Sequence, residues 1–429
     1  MGAIIRSEIL GLEGQVIKEV QYTDEGGIRI VCNRDKRRRP CDHQTGRPGL
    51  TERYLRRTID DVPLMGRRCQ IEIEYVQMMV SQTTARVESL PFVAPGARIT
   101  RRYGRMIAGM ARHMPVSAVA RHTGMSWDRT KAIECAYLKE TIEIPRPEEL
   151  SGIRYLGVDE VARAKGHDYF TLVYDLSPGD HYGRIVFIKE GRDAEVFSDF
   201  LERLNYECAQ GIEAIAMDMG RAYISAAQKS LPQAAIVFDR FHVMQLFSKV
   251  IRDCRRAEFK EAKKLEDLTG QEVLKGSLWL LLPNRPTLNE TNQERLDKLL
   301  AQNKPLATLY TLKEQLQELW QPGSSSGEMT QRLDHWCGMA ETANITGLNA
   351  FVKTLKSHRT GICAYGNHPI TTSRLEAGNV AIGLLRRRAR GYRDNDYFKL
   401  KILQTNTKDE PSFLYQSKKP ACKKRGLSP

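Results

Sequence analysis

Three acidic segments, far apart in the chain, carry residues able to hold divalent metal ions: Leu156-Gly-Val-Asp159-Glu160, Ile215-Ala-Met-Asp218-Met-Gly-Arg-Ala-Tyr223 and Ser373-Arg-Leu-Glu376-Ala-Gly-Asn379. The first two carboxylates close apolar, strand-like runs, and the third lies on a helix-like run. Carboxylate oxygens suit hard cations such as Mg2+ and Mn2+. Two such ions about 3.5–4 Å apart can activate an attacking water or 3′-hydroxyl and stabilise the leaving oxygen of a phosphodiester. Each acid also has a plainer reading, because Asp at a strand end is a common turn former or helix cap. Glu160 and Asp239 are the nearest competing acids and are read as support for the same site.

The elements that must position these acids follow from pattern. Strand-like runs cover 155–159, 169–176 and 184–189, with a turn signal at Pro178-Gly-Asp180. An amphipathic helix is expected over 193–208, then a strand over 212–218, a helix over 222–230, a strand over 234–238 and a helix from about Phe241. Three strands followed by helix, strand, helix, strand is the order of the ribonuclease H fold. Its first and fourth strands are neighbours, so Asp159 and Asp218 are expected to face one another at the C-terminal ends of their strands.

The rest of the chain divides around this core, giving a multidomain α+β protein. Residues 1–92 read as a small β-rich module around an Arg-rich loop, 34–57, and 96–142 as a helix-turn-helix. The α/β core occupies 150–250 and resumes at 365–408 after an all-helical insertion over 251–364. A basic tail, 409–429, reads as disordered. In the helix-turn-helix, Pro115 or Ser117 can open the first helix, Gly124 permits the turn, and Ser126 can cap the second. That second helix presents Trp127, Arg129 and Lys131 near its start, where recognition helices meet the major groove. Beyond Glu376 the helix becomes basic, and Arg386, Arg387, Arg388, Arg390 and Arg393 are candidates for phosphate contact.

Lys and Arg total 66 against 52 Asp and Glu, a formal net charge of +14, which favours a polyanionic partner such as nucleic acid. The most apolar run, Leu278-Trp-Leu-Leu-Leu282, is far short of the roughly 20 residues of a membrane helix, so no membrane partner is expected and a cytoplasmic protein is. Nine cysteines show no repeated spacing, as reduced thiols do. Cys32, Cys41, His43 and Cys69 could together offer four zinc ligands, but no Cys-x-x-Cys pair occurs and Zn2+ is not expected. No Gly-x-x-x-x-Gly-Lys-Ser/Thr loop is present, which argues against an ATP-driven translocase.

An ordered set of short segments resembles the bacterial insertion-sequence transposases of the DDE superfamily, ISL3 type. It comprises Leu156-Gly-Val-Asp-Glu160, Lys165-Gly-His167, Glu190-Gly-Arg192, Ala216-Met-Asp-Met219, Val237-Phe-Asp-Arg-Phe-His242, Leu375-Glu376 with Asn379, and Arg387-Arg-Ala-Arg-Gly-Tyr392 through Tyr397-Phe-Lys-Leu-Lys401. The resemblance, over about residues 95–405, implies that Asp159, Asp218 and Glu376 form a catalytic, metal-binding triad using two Mg2+ or Mn2+ ions. It also implies that His242, within Asp239-Arg-Phe-His242, lies near the scissile phosphate. Implied partners are double-stranded DNA, as terminal inverted repeats and target, and further copies of the chain, a dimer or larger, in a bacterial, nucleoid-associated setting. The chain departs from relatives in lacking their paired Cys-x-x-Cys motifs, and in reading Ala-Gly-Asn-Val-Ala-Ile-Gly after Glu376 where relatives tend to be Asn- and Lys-rich. Competing readings are a structure-directed nuclease or resolvase without strand transfer, and a domesticated DNA-binding regulator without chemistry.

Overall fold

A computed structural model describes residues 7, 10–42, 45–81, 83–164, 166 and 168–407. His43, Lys165, His167 and the tail 409–429 lie outside the described residues. The chain separates into two compact units, Met1–Glu143 with Asp394–Pro429, and Ile144–Arg393.

In the first unit, strands β1 (Gln15–Tyr22), β2 (Ile28–Arg34), β3 (Leu50–Leu64), β4 (Arg67–Met79) and β5 (Ala85–Val87) form one sheet in the order β1-β2-β4-β3, with β5 on β4. Period-two alternation sends Ile28, Ile30 and Cys32 of β2 and Cys69, Ile71 and Ile73 of β4 into a core closed by Leu12, Ile59, Leu90 and Val93. The Arg-rich stretch 34–57, expected as a loop, turns into strand at Leu50. Its arginines find partners on β4: Arg56 pairs with Glu72 at 3.2 Å and Glu74 at 3.0 Å, and Arg53 donates to the Gln77 amide oxygen at 2.8 Å. Cys32 and Cys69 are buried within this core, and burial pushes both thiols up to about 11, so they stay protonated and bind metal poorly.

Helices α1 (Arg101–His113), α2 (Val116–Thr123) and α3 (Trp127–Thr141) follow. Gly124 takes the left-handed conformation, φ 66°, that ends α2 sharply, and the Ser126 hydroxyl accepts from the Arg129 amide at 3.3 Å to start α3. Helix α16 (Asn395–Thr405), assigned by pattern to the segment 365–408, packs in this unit against α3. There Lys401 and Glu134, 2 % and 0 % exposed, form an ion pair at 2.7 Å, and Lys401 also donates to the Ala111 carbonyl at 3.1 Å and to Gln404 at 2.6 Å.

In the second unit, β6 (Tyr155–Ala162), β7 (Tyr169–Asp175), β8 (Arg184–Glu190), β9 (Ala214–Met217) and β10 (Ala235–Phe238) form a sheet in the order β10-β9-β6-β7-β8. The meander β6-β7-β8 is antiparallel, whereas β9 and β10 run parallel to β6. Helices α4 (Ala194–Glu202), α5 (Tyr206–Gly211), α6 (Arg221–Ser230) and α7 (Arg240–Lys264) alternate with these strands or follow them. The single helix expected over 193–208 is broken between α4 and α5. Asn205 caps the new helix by accepting from the Cys208 amide at 2.9 Å, while its side-chain amide donates to the Leu150 carbonyl at 2.7 Å.

The segment read as an insertion is helical: α8 (Leu268–Leu274), α9 (Leu278–Leu281), α10 (Glu290–Gln302), α11 (Lys304–Gln317), α12 (Ser326–Thr342), α13 (Leu348–Ser357) and α14 (Arg359–Cys363). These share a continuous core with the sheet's helices, in which Phe247 of α7 meets Trp336 of α12 and Phe351 of α13. The amine of buried Lys313 donates to the carbonyls of Leu281 at 2.8 Å, Leu282 at 3.3 Å and Pro283 at 2.6 Å, satisfying the open end of α9. Burial pulls its pKa from 10.5 down to about 8. Between those values the unfolded chain binds more protons than the folded one, so stability contributed at this position rises with pH. From pH 8 to 10.5, denaturant titrations are expected to show wild type gaining about 3 kcal/mol relative to Lys313→Met. A constant difference across that range would contradict it.

Candidate active site

The parallel pairing of β6 with β9 ends at Gly157 opposite Ala216. Two residues further along each strand come Asp159 and Asp218, so continuing the register sets them across from one another. One expectation needs correcting: Asp159 is not at the end of its strand. β6 continues to Ala162, held by β7, where Leu172 pairs with Asp159, and it is β9 that stops at Met217. Asp159 thus stands where its neighbour gives out, and Asp218 sits in the turn just beyond, its Oδ1 accepting from the Gly220 amide at 2.8 Å.

Glu376 comes from α15 (Ser373–Ala389), which packs on β6. The close approach depends on glycine: a Cβ at Gly157 would lie 2.8 Å from Leu176 and 3.0 Å from Leu375, and one at Gly378 would lie 2.7 Å from the Tyr174 hydroxyl. Asn379, one turn beyond Glu376 on the same helix face, donates from Nδ2 to Asp159 Oδ2 at 2.6 Å, while the Glu160 amide donates to Oδ1 at 2.7 Å. The buried Asn379 Oδ1 has no hydrogen-bond partner.

Burial raises the pKa of Asp159, helped by Asp218 and opposed by the Glu160 amide, Asn379 and His242. Burial likewise raises Glu376, with Asp239 and Asp159 adding repulsion. Asp239 caps α7, accepting from the Phe241 amide at 3.0 Å and contacting His242 Nδ1 at 3.1 Å. That contact raises the His242 pKa, against burial and with help from Asp159 and Asp218, so the imidazole favours the cation beside the carboxylates. Burial opposes ionisation of Asp239, but His242, Thr372 and the Phe241 amide outweigh it and lower its pKa.

Glu160 feels the charges of Asp218 and Asp159 but faces away from Asp159. Strand alternation sends it to the other sheet face, where Tyr223 of α6 hydrogen-bonds to it and the Tyr223 hydroxyl lies 3.0 Å from Thr171. Its pKa is raised chiefly by burial.

Asp159 therefore lies within electrostatic reach of Asp218, Glu376 and His242, His242 also of Asp218 and Asp239, and Glu376 also of Asp239 and His242. The carboxylates offer oxygens of the kind hard cations prefer, and the raised pKa values of Asp159 and Glu376 are what a divalent cation would relieve. Among the described residues no three His, Cys, Asp or Glu side chains are gathered into a ready-made cation cage. The expected three-carboxylate cluster is looser than that, because Asp218 is held by its own turn and Asp159 by Asn379 and the Glu160 amide.

The candidate DNA contacts are partly committed within the protein. Arg129 pairs with Asp60, Lys131 pairs with Asp394 at 2.7 Å, and Lys131 lies over the rings of Trp127 and Tyr397 at 5.6 and 5.2 Å. Arg386 turns back to the Ala162 carbonyl at the end of β6, and Arg387, Arg388, Arg390 and Arg393 are exposed. Arg390 caps α15 in the left-handed conformation, φ 58°. Among the described residues no helix is long and apolar enough to cross a membrane.

Sequence reasoning passed over the bond from Asn379 to Asp159, although the Glu376 to Asn379 spacing signals a shared helix face. Nothing in the sequence marked Tyr174.

Comparison with known proteins converges on one family. Residues 88–134 match the helix-turn-helix domain of transposase family ISL3, and residues 156–402 match that family's transposase domain. The chain is 33 % identical over 400 residues to the transposase for insertion sequence element IS1001 of Bordetella parapertussis, covering 91 % of this chain and 95 % of that protein. It is 25 % identical over 326 residues to the transposase for insertion sequence element IS1557 of Mycobacterium tuberculosis, 72 % of each chain. With one match spanning more than half of its length and a relative one-third identical across nearly all of it, this chain belongs to the ISL3 family of DDE transposases.

Proposed function

We propose that Asp159, Asp218 and Glu376 are the catalytic carboxylates of this transposase, set in a ribonuclease H-like core and serving both end cleavage and strand transfer. The observation that carries the reading is the register of β6 and β9, which, continued past the C-terminal end of β9, sets Asp159 against Asp218 where Asn379, one turn from Glu376, reaches Asp159. These three residues would hold two divalent cations, Mg2+ or Mn2+, which when bound supply Lewis-acid activation of the attacking oxygen and charge relief at the leaving one. The chain's own groups do the rest. Asn379 and the Glu160 amide fix the Asp159 carboxylate, the Gly220 amide fixes Asp218, and the His242 imidazolium, held by Asp239, offers a positive charge to a phosphate oxygen.

The helix-turn-helix unit binds DNA, and we assign it the terminal inverted repeats of the element. Because two ends must be joined in one event, the working form is a dimer or larger assembly on DNA. Supplying pre-cleaved ends and target plasmid with Mg2+ is expected to yield joined products. Cutting without joining would favour a structure-directed nuclease, and binding without either reaction would favour a regulator.

A second test addresses positioning. Asn379→Ala removes the donor to Asp159 Oδ2, and is expected to raise the Mn2+ concentration needed for half-maximal cleavage about ten-fold, as loss of a group that orients a metal ligand does. An unchanged metal requirement would remove Asn379 from the site.

A further inference from the structure

The two longest strands of the protein, β3 and β4, are joined by only two residues, Met65 and Gly66, between the paired Leu64 and Arg67. Both carry positive φ, 51° and 74°, the pattern of a two-residue turn that favours Asn-Gly or Gly-Gly. Here the first position is methionine, which is disfavoured in the left-handed region, and its side chain is 90 % exposed. A residue poor for the turn and poor for the surface has nothing to gain from the folded unit itself. It is flanked by Arg67 and Arg68, both exposed.

The hairpin tip is not adrift. Arg67 donates to the Gly26 carbonyl at 2.8 Å and stacks on Tyr22 at 5.5 Å, which ties the tip to the turn between β1 and β2. Arg68 reaches the Gly124 carbonyl at 3.5 Å, in the turn between α2 and α3. A concavity of about 990 Å³ lies between these turns, lined by Arg29, Arg67, Arg68 and Arg129 and by the acids Asp24, Glu25, Asp60 and Asp61. Its lining reaches the start of α3 at Arg129.

We propose that the β3–β4 tip is a second DNA-reading element, a wing that enters the minor groove beside the major groove occupied by α3. Met65 acts as an apolar wedge against a base step, and Arg67 and Arg68 contact the flanking phosphates or the groove floor. Wedge residues of this kind, unbranched and apolar with arginine alongside, are the chemistry by which proteins unstack and kink a duplex from its minor groove. The tip's attachment to Gly124 fixes its offset from the helix-turn-helix, so both elements can engage one face of a duplex.

This inference rests on the helix-turn-helix unit binding the element's ends, and the test separates the two. Full-length protein is titrated by fluorescence anisotropy against a duplex from the DNA flanking the gene that carries the inverted repeat, at several salt concentrations. Wild type is compared with Met65→Asn, which suits the turn, and with Arg67→Ala and Arg68→Ala. Met65→Asn is expected to raise the thermal midpoint while weakening end binding about ten-fold. Each arginine variant is expected to reduce the salt slope by about one. A 2-aminopurine placed beside the α3 half-site should brighten with wild type and stay quenched with Met65→Asn. If wild type binds and Met65→Asn binds equally well with the same 2-aminopurine signal, the wing is overturned although end recognition stands. If wild type does not bind the duplex, both fall.

Discussion

Asp218→Asn is expected to lower strand cleavage by at least roughly a thousand-fold, about 4 kcal/mol of transition-state stabilisation, while end binding stays within about two-fold of wild type. The substitution is nearly isosteric. Its side-chain oxygen can still accept from the Gly220 amide, so the turn after β9 persists and only the charge is lost. The helix-turn-helix lies in the other compact unit and does not depend on this turn. The measurement pairs a cleavage assay on a labelled end with a mobility shift on the same duplex. Cleavage near the wild-type rate would remove Asp218 from the chemistry and with it the proposed triad. Loss of binding together with cleavage would show instead that the residue supports the fold.

Lys401→Met is expected to cost about 3–5 kcal/mol of stability, because it strips Glu134 of its cationic partner in the interior of the DNA-binding unit. The Ala111 carbonyl and Gln404 lose a donor at the same time. Glu134 keeps the Tyr397 hydroxyl, which is too little to solvate a buried charge. The double variant Lys401→Met, Glu134→Leu removes both charges and fills the space with apolar groups, and is expected to recover most of the loss. Denaturant unfolding of the two variants decides it. If the single and double variants prove equally unstable, the ion pair is not the cause. A corollary concerns end binding: α16 is the strap behind α3, so the single variant should weaken DNA binding through instability of its platform.

Local pattern carried the catalytic unit a long way. The three strands of the meander, the turn at Pro178-Gly-Asp180, the strand before Asp218 and the helix from about Phe241 were legible because each element carries its own hydrophobic period, although β6 runs past Asp159 to Ala162. The helix-turn-helix was legible for the same kind of reason, since Gly124 and Ser126 are local stop and start signals that need no tertiary help. Pattern failed where a long-range partner decided the outcome. Arg53 and Arg56 look like loop residues until Gln77, Glu72 and Glu74 face them across a sheet. The helix from Asp193 looked continuous until Asn205 found the carbonyl of Leu150.

The sequence by itself determined the identity and order of the acidic segments, their seats on strand, turn and helix, the basic charge of the chain and its family, all properties of residue type and spacing along one dimension. Only the tertiary structure decided that β6, paired with β7, runs on past Asp159 to Ala162, that Asn379 secures Asp159 across 220 positions, and that α16 returns to brace α3. The physical reason is common to all three. A buried polar group must be satisfied by whichever partner the packed chain brings within about 3 Å, and that partner is chosen by sheet register and helix face in three dimensions, where separation along the sequence carries no information.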